Sequence, residues 1–199
     1  MGKSVTLILR EGEVPLIETD VIGVDAGAAY ALRKQLNMIC AMGDFDSIDA
    51  HALTLLKEKT QVISFPTHKD QPDSQLALDK ALALGYDDIV IYGALGGRFD
   101  HHHANLILAY QHPEVTLIDD VHWIKCYGPG VYAIKKESHE KLSVFTLDFA
   151  VLSLMGVEYP LDHYEIDLKS ILGLSNTWIE DEAILSVHTG KVLVYCTKA

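Results

Sequence analysis

Six aspartates fall in four short segments: Asp25; Asp44 and Asp46 in Gly43-Asp44-Phe45-Asp46-Ser47; Asp70 and Asp73 in Asp70-Gln71-Pro72-Asp73; and Asp100 in Gly96-Gly97-Arg98-Phe99-Asp100-His101. Crowded carboxylates repel one another unless a cation or protons offset their charge. Hard oxygen ligands select Mg²⁺ or a similar ion, which usually takes only about one or two carboxylates and completes its shell with substrate phosphates. Asp44 and Asp46 flank one apolar residue, so a single turn brings both toward one ion, which is more acid than a helix cap needs. Asp70 and Asp73 lie three apart, roughly on one face of a helix start. Asp70 and Asp100 also read as plain N-terminal caps.

A second chemical element is the glycine-rich turn Gly93-Ala94-Leu95-Gly96-Gly97-Arg98. Backbone N–H groups of Gly96 and Gly97, with the helix that follows, suit a phosphate. Arg98 adds a forked donor for phosphate oxygens. The turn is neither a GxGxxG loop nor a Walker A loop. Next to the acids it points to a Mg²⁺–nucleotide site. The run His101-His102-His103 is not read as a metal centre, because consecutive helical side chains point about 100° apart. His101, beside Asp100, is the one best placed to support the site.

These residues need a scaffold that delivers them to one place. Apolar runs at Val5–Leu9, Asp20–Val24, Met38–Met42, Gln61–Phe65, Asp88–Tyr92 and Val115–Ile118 read as strands. Helical patterns at Ala28–Gln35, Asp49–Lys59, Asp73–Leu84 and Asp100–Gln111 lie between them, the third stopped by Gly85. Such alternation implies a mainly parallel sheet flanked by helices. Every strand of that sheet ends on the same edge, where open α/β sheets bind ligands. The acids follow the second, third, fourth and fifth strands, so all six are expected at one crevice. After Asp119-Asp120 the pattern changes, and Gly128-Pro129-Gly130 marks a turn or linker. Short β-type runs follow at Val131–Lys135, Leu142–Leu147, Val151–Leu154, Glu165–Leu168, Ala183–Val187 and Lys191–Cys196, with His188-Thr189-Gly190-Lys191 read as a hairpin turn. The fold class is therefore α/β followed by a small all-β sandwich, divided as residues 1–122 and 123–199.

Composition agrees. The 199 residues are 49% apolar and 22% charged, the balance of a globular protein. Lys plus Arg is 16 and Asp plus Glu 28, giving 16 − 28 = −12, which argues against a grip on a nucleic-acid backbone. An anionic phosphate substrate would need a cation to screen these acids. Cys40, Cys126 and Cys196 form no CxxC and read as reduced, buried thiols of a cytoplasmic protein. Val5–Leu9 is too short for a signal peptide or a membrane span. Met1-Gly2 with Thr6 formally fits a myristoylation pattern, but a buried first strand is the simpler reading.

In this order, Asp25-Ala26-Gly27-Ala28, Gly43-Asp44-Phe45-Asp46-Ser47, Asp70-Gln71-Pro72-Asp73, Gly96-Gly97-Arg98-Phe99-Asp100-His101 with Ala104-Asn105, Tyr159-Pro160-Leu161 and Gly173-Leu174-Ser175-Asn176 resemble the thiamin pyrophosphokinase family in its bacterial form. The resemblance runs from near residue 20 to the C-terminus. It implies an α/β nucleotide domain followed by a β-sandwich that binds thiamine and forms a homodimer, with sites between subunits. It also implies a reaction, in which thiamine's hydroxyl attacks the β-phosphorus of Mg-ATP to give thiamine diphosphate and AMP. Carried over, Asp44, Asp46 and Asp73 match the metal- and phosphate-binding acids. Asp25, Gly27, Lys69, Gly96, Gly97 and Arg98 fall on the ATP side, and Asp100 near thiamine. Ser175 and Asn176 match contacts to the aminopyrimidine from the partner subunit. A flat cationic substrate also suits an aromatic wall, for which Trp178 is a candidate; ordinary sandwich or interface packing is its other reading.

Two positions depart from the family pattern. Ala26 stands where many members have a second glycine, and Gln75 stands where many bacterial members have Glu. Gln75 cannot be an anionic ligand, though its amide can still hydrogen-bond. Two other functions remain open on residues alone: another Mg²⁺-dependent phosphotransferase or phosphohydrolase, and a nucleotide-binding module without catalysis.

Overall fold

The computed structural model describes residues 2–12, 17–46, 48–66 and 70–198. The chain divides into two compact units, residues 1–105 with 117–120, and residues 106–116 with 121–199.

The first unit is built on β1 (Ser4–Ile8), β2 (Asp20–Val24), β3 (Met38–Gly43), β4 (Gln61–Ser64) and β5 (Asp88–Tyr92). They run in the order β5-β1-β2-β3-β4, and every adjacent pair is parallel. β6 (Val115–Ile118) flanks β5. The strands bury nearly continuous apolar runs, as sheets covered by helices do: Val5, Leu7 and Ile8 in β1, Ile89 and Ile91 in β5. α1 (Ala26–Arg33) and α3 (Asp73–Ala83) pack against β1, β2 and β3, and α2 (Ala50–Lys59) lies beside α1 and β4. α2 starts on Asp49, whose carboxylate accepts the N–H of Ala52 at 2.9 Å. α3 buries Ala77, Leu78 and Ala81, the helical spacing expected of it. α4 (Phe99–Gln111) contributes its residues 99–105 to this unit.

The second unit is a pair of antiparallel sheets. β12 (Asn176–Thr177), β9 (Lys141–Phe145), β14 (Val192–Thr197) and β7 (His122–Tyr127) form one; β11 (Leu161–Asp167), β10 (Phe149–Met155), β13 (Glu182–Gly190) and β8 (Gly130–Lys135) form the other. Between them lies a core that includes Leu142, Val144, Leu152, Leu154, Leu185 and Val194. Two features differ from the sequence reading. His122–Tyr127 is a strand, burying Ile124 and Cys126 on alternate positions, in a stretch to which the sequence reading assigned no element. The anticipated hairpin at His188–Lys191 is a crossover, because β13 pairs with β10 and β8 whereas β14 pairs with β7 and β9. Turn chemistry marks a chain reversal but does not choose which sheet receives the next strand.

Candidate active site

The strand ends set the geometry. With β5, β1, β2, β3 and β4 all parallel, the chain leaves each of them at one edge: at Leu9-Arg10, Asp25, Asp44, the segment before Asp73, and Gly93. Leu9, Val24, Asp25, Pro72, Asp73, Ser74, His101 and Asn105 line one cavity of about 190 Å³ at this edge. Asp25 and Asp73 thus come from different loops to the same hollow.

The Asp44-Phe45-Asp46 loop is held from below. Phe45 is buried with Ala28, Ala41 and Leu56, and takes a positive φ of 57° to get there. The neighbouring carboxylates are turned outward by that anchor: Asp44 is half-buried and Asp46 exposed. The N–H of Asp46 donates to Asp44 Oδ1 at 3.2 Å, closing the turn. Asp25 reaches across to accept the Phe45 N–H at 3.3 Å, and its own N–H donates to Met42 O at 2.9 Å. A Cβ on Gly43 would stand 1.7 Å from Asp25 Oδ1, so only glycine lets this carboxylate lie against β3. Asp25 therefore positions the acidic loop.

The glycine turn carries Gly96 and Gly97, both exposed with positive φ. Asn105, buried, donates to Ala94 O at 2.8 Å and pins the turn's base, while Gly96 N–H donates to His102 Nδ1 at 3.3 Å. Arg98 grips Asp100 through two hydrogen bonds, Nη2 to Oδ2 at 2.5 Å and Nε to Oδ1 at 3.1 Å. These bonds hold the Asp100 carboxyl well below its usual range, down to about 2. Both groups are exposed, so the pair orders side chains more than it stabilises the fold. In Arg98→Gln the Asp100 carboxyl is expected to titrate upward toward its ordinary value of about 3.9. A ¹³C carboxyl NMR titration reads this; an unmoved midpoint would show that Arg98 is not the cause.

Other residues singled out from sequence lie as follows. Gly27 is buried against the Ile8 carbonyl, where it lets α1 approach β1 closely. Ala26 is exposed. Asp70 is exposed and stands before α3, whose first turn holds Asp73. Gln75 donates along its own helix to Asp79 Oδ1 at 2.8 Å. Lys69 lies outside the described residues, as does Ser47. Arg10 was missed: it is a base directly after an apolar strand, the same position that singled out the acids after β2 and β3. Among the described residues no three acid, imidazole or thiol side chains are grouped so as to hold a metal ion alone. The oxygen donors of Asp44, Asp46 and Asp73 nonetheless fit Mg²⁺, which binds through few carboxylates and relies on substrate phosphates for the rest.

In the second unit Ser175 is exposed at φ 57°, and its N–H donates to Ser143 Oγ at 2.8 Å. Asn176 is only 7% exposed. Its Oδ1 accepts from the N–H groups of Tyr159 and Thr177, both at 3.0 Å, and its Nδ2 donates to Tyr159 O at 2.8 Å. One Nδ2 hydrogen is left over. Trp178 is 6% exposed and packs in the sandwich core, its buried Nε1 without a hydrogen-bond partner. The exposed ring next to Asn176 is Tyr159, 65% open and tied by both backbone groups to the Asn176 amide.

Comparison with known proteins gives consistent results. Two protein-family models match, one described as thiamin pyrophosphokinase, catalytic domain, over residues 17–118, and one as thiamin pyrophosphokinase, vitamin B1 binding domain, over residues 131–194. The chain is 34% identical over 181 residues to the thiamine pyrophosphokinase of Bacillus subtilis (strain 168), covering 87% of this chain and 85% of that one. A crystal structure of the Bacillus subtilis thiamine pyrophosphokinase matches with TM-score 0.88 and 31% identity, covering 98% of this chain and 99% of the other. A thiamin pyrophosphokinase family protein from Enterococcus faecalis matches with TM-score 0.90 and 31% identity over 99% of both chains. The thiamin pyrophosphokinase of Candida albicans, 18% identical, shares the fold with TM-score 0.80 over 100% of this chain and 90% of that one.

Proposed function

The chain belongs to the thiamin pyrophosphokinase family, whose reaction is transfer of the pyrophosphoryl group of ATP to thiamine, and we propose how its own residues divide that work. Asp44, Asp46 and Asp73 would hold Mg²⁺ together with the nucleotide's phosphates. When bound, Mg²⁺ screens the triphosphate and draws charge from the transferring group. Residues 1–122 bind ATP, with Asp25 fixing the acidic loop, Gly96 shaping the glycine turn, and the Gly97 N–H and Arg98 donating to phosphate oxygens. Thiamine's hydroxyl oxygen forms a bond to the β-phosphorus as the bond from that phosphorus to the oxygen bridging to the α-phosphorus breaks. AMP leaves with that oxygen, and the hydroxyl proton passes to solvent or phosphate. Asp100 orients thiamine, and no base is required of it. A loose transition state makes little demand for one.

Residues 123–199 bind thiamine and carry the dimer contact. The remaining Asn176 Nδ2 hydrogen suits a ring nitrogen of the aminopyrimidine, and Ser175, Asn176 and the Trp178 segment come from the second copy. Leu168, Ile171, Leu172 and Leu174 are 60–79% exposed in one stretch, an apolar face of the kind that a second copy covers. Leu172→Glu is expected to convert a dimer to a monomer in sedimentation analysis; a wild-type protein that already sediments as a monomer would reject the association. The three cysteines are free and buried, as suits a cytoplasmic location, and among the described residues no helix is long and apolar enough to cross a membrane.

The observation that supports this reading is that Asp25 and Asp73, from loops after different parallel strands, line one cavity, with Asp25 also holding the Asp44-Phe45-Asp46 loop through the Phe45 N–H. Incubation with thiamine and Mg-ATP, with mass identification of both products, tests it. Thiamine diphosphate and AMP in equal amounts are expected. Free phosphate released without an acceptor would instead mark a phosphohydrolase, and ATP binding without turnover a binding module.

A further inference from the structure

We infer that Arg10 is a phosphate-gripping residue of this chain, a second guanidinium on the nucleotide's polyphosphate beside Arg98; the inference rests on the nucleotide site proposed above. β1 lies between β5 and β2 in the sheet, and its pairing with β5 runs on through Leu9 N–H to Tyr92 O at 2.9 Å. Arg10 is the next residue, so its side chain leaves from the middle of the strand edge. The glycine turn is shaped around it. A Cβ on Gly93 would stand 2.5 Å from Arg10 Cγ, and a Cβ on Gly96 2.8 Å from Nη2 and 3.2 Å from Nη1. Both glycines have φ of 77°, so the turn curls with its backbone against the arginine: stem on Gly93, guanidinium on Gly96.

Charge points the same way. The protein has three arginines and a net charge of −12. Arg33 is paired with Glu11 and Arg98 with Asp100. Arg10 has no ion pair among the described residues, and its buried Nε has no hydrogen-bond partner. A guanidinium set against an anion-binding type of turn, its Nε unused and no carboxylate on it among the described residues, is arranged for an oxyanion from outside the chain. Arg98 must release Asp100 before it can turn both donor edges to phosphate; Arg10 has no such bond to break. That makes Arg10 the fixed cation of the site, and it answers the need for positive charge that so acidic a chain has toward an anionic substrate.

The test is calorimetric binding of Mg-ATP and of adenosine to wild type, Arg10→Gln and Arg10→Lys, with thiamine diphosphate formation followed in parallel. Loss of a charge-assisted contact is expected to weaken ATP binding about tenfold or more in Arg10→Gln. Adenosine binding should stay unchanged, and Arg10→Lys should recover part of the loss. A residue that merely supported the turn would weaken both ligands together, and that result overturns the inference, as does ATP affinity within about twofold of wild type. Should Arg10→Gln not fold, Arg10→Lys decides, since it keeps stem and charge but loses the fork: ATP affinity equal to wild type would then count against the proposal. A wild type that binds ATP in an Arg10-dependent way but makes no thiamine diphosphate would uphold Arg10 and reject the reaction; a wild type that binds no ATP rejects both.

Discussion

Asp46→Asn is expected to lower kcat by about 100- to 1000-fold, the scale on which single charge-stabilising groups act in phosphoryl and acyl transfer. The melting temperature should move by less than about 2 °C, because the side chain is exposed and the change is isosteric. What holds the loop is elsewhere: Phe45 in its pocket, Asp25 on the Phe45 N–H, and Asp44 on the Asp46 N–H. Asn keeps the Asp46 backbone donor and removes only the charge. The Mg²⁺ concentration for half-maximal rate should rise with the same substitution. AMP release at saturating thiamine and ATP measures both, and near-normal turnover would reject Asp46 as a metal-binding acid. Asp44→Asn makes a less clean experiment, since Asp44 Oδ1 is also the acceptor that closes the turn.

Gly27→Ala is expected to destabilise the protein by roughly 3 kcal/mol or more, at the upper end for overpacking. The added Cβ would lie 1.9 Å from the Ile8 carbonyl oxygen and 2.5 Å from its carbon. Neither atom can yield cheaply, because Ile8 is paired on both sides, to Gly23 of β2 and Tyr92 of β5. Relief would require α1 to lift off β1 and carry with it Asp25, the residue before its first turn. Activity should therefore fall along with stability, in contrast to Asp46→Asn. The midpoint of urea unfolding reads the effect, and an unshifted midpoint would mean that the helix and strand are not so closely apposed. The same contact explains why Gly27 is glycine without any call on it from a ligand.

Much of the architecture was legible because it rests on short-range patterns. The strand–helix alternation through residue 118, the acid after each of four strands, and the α3 stripe of Ala77, Leu78 and Ala81 repeat at periods set by the backbone itself. Residues whose roles depend on distant partners were harder to read. Trp178, considered for a substrate wall, is sandwich core, and Tyr159 is the exposed ring beside Asn176. Asn176 spends three of its four amide bonds on Tyr159 and Thr177. Arg10 drew no notice because a single base after a strand has many explanations until the turn that wraps it is seen.

The amino-acid order by itself determined where chain segments become strands or helices, and that acids and glycines sit at strand ends, since propensity and periodicity act within a few residues. Only the tertiary structure decided which of those ends are neighbours, that β13 and β14 part into different sheets, and that Gly27 and Arg10 meet β1 and the glycine turn. Those outcomes depend on pairing and packing between residues far apart in the chain, and no local spacing encodes them.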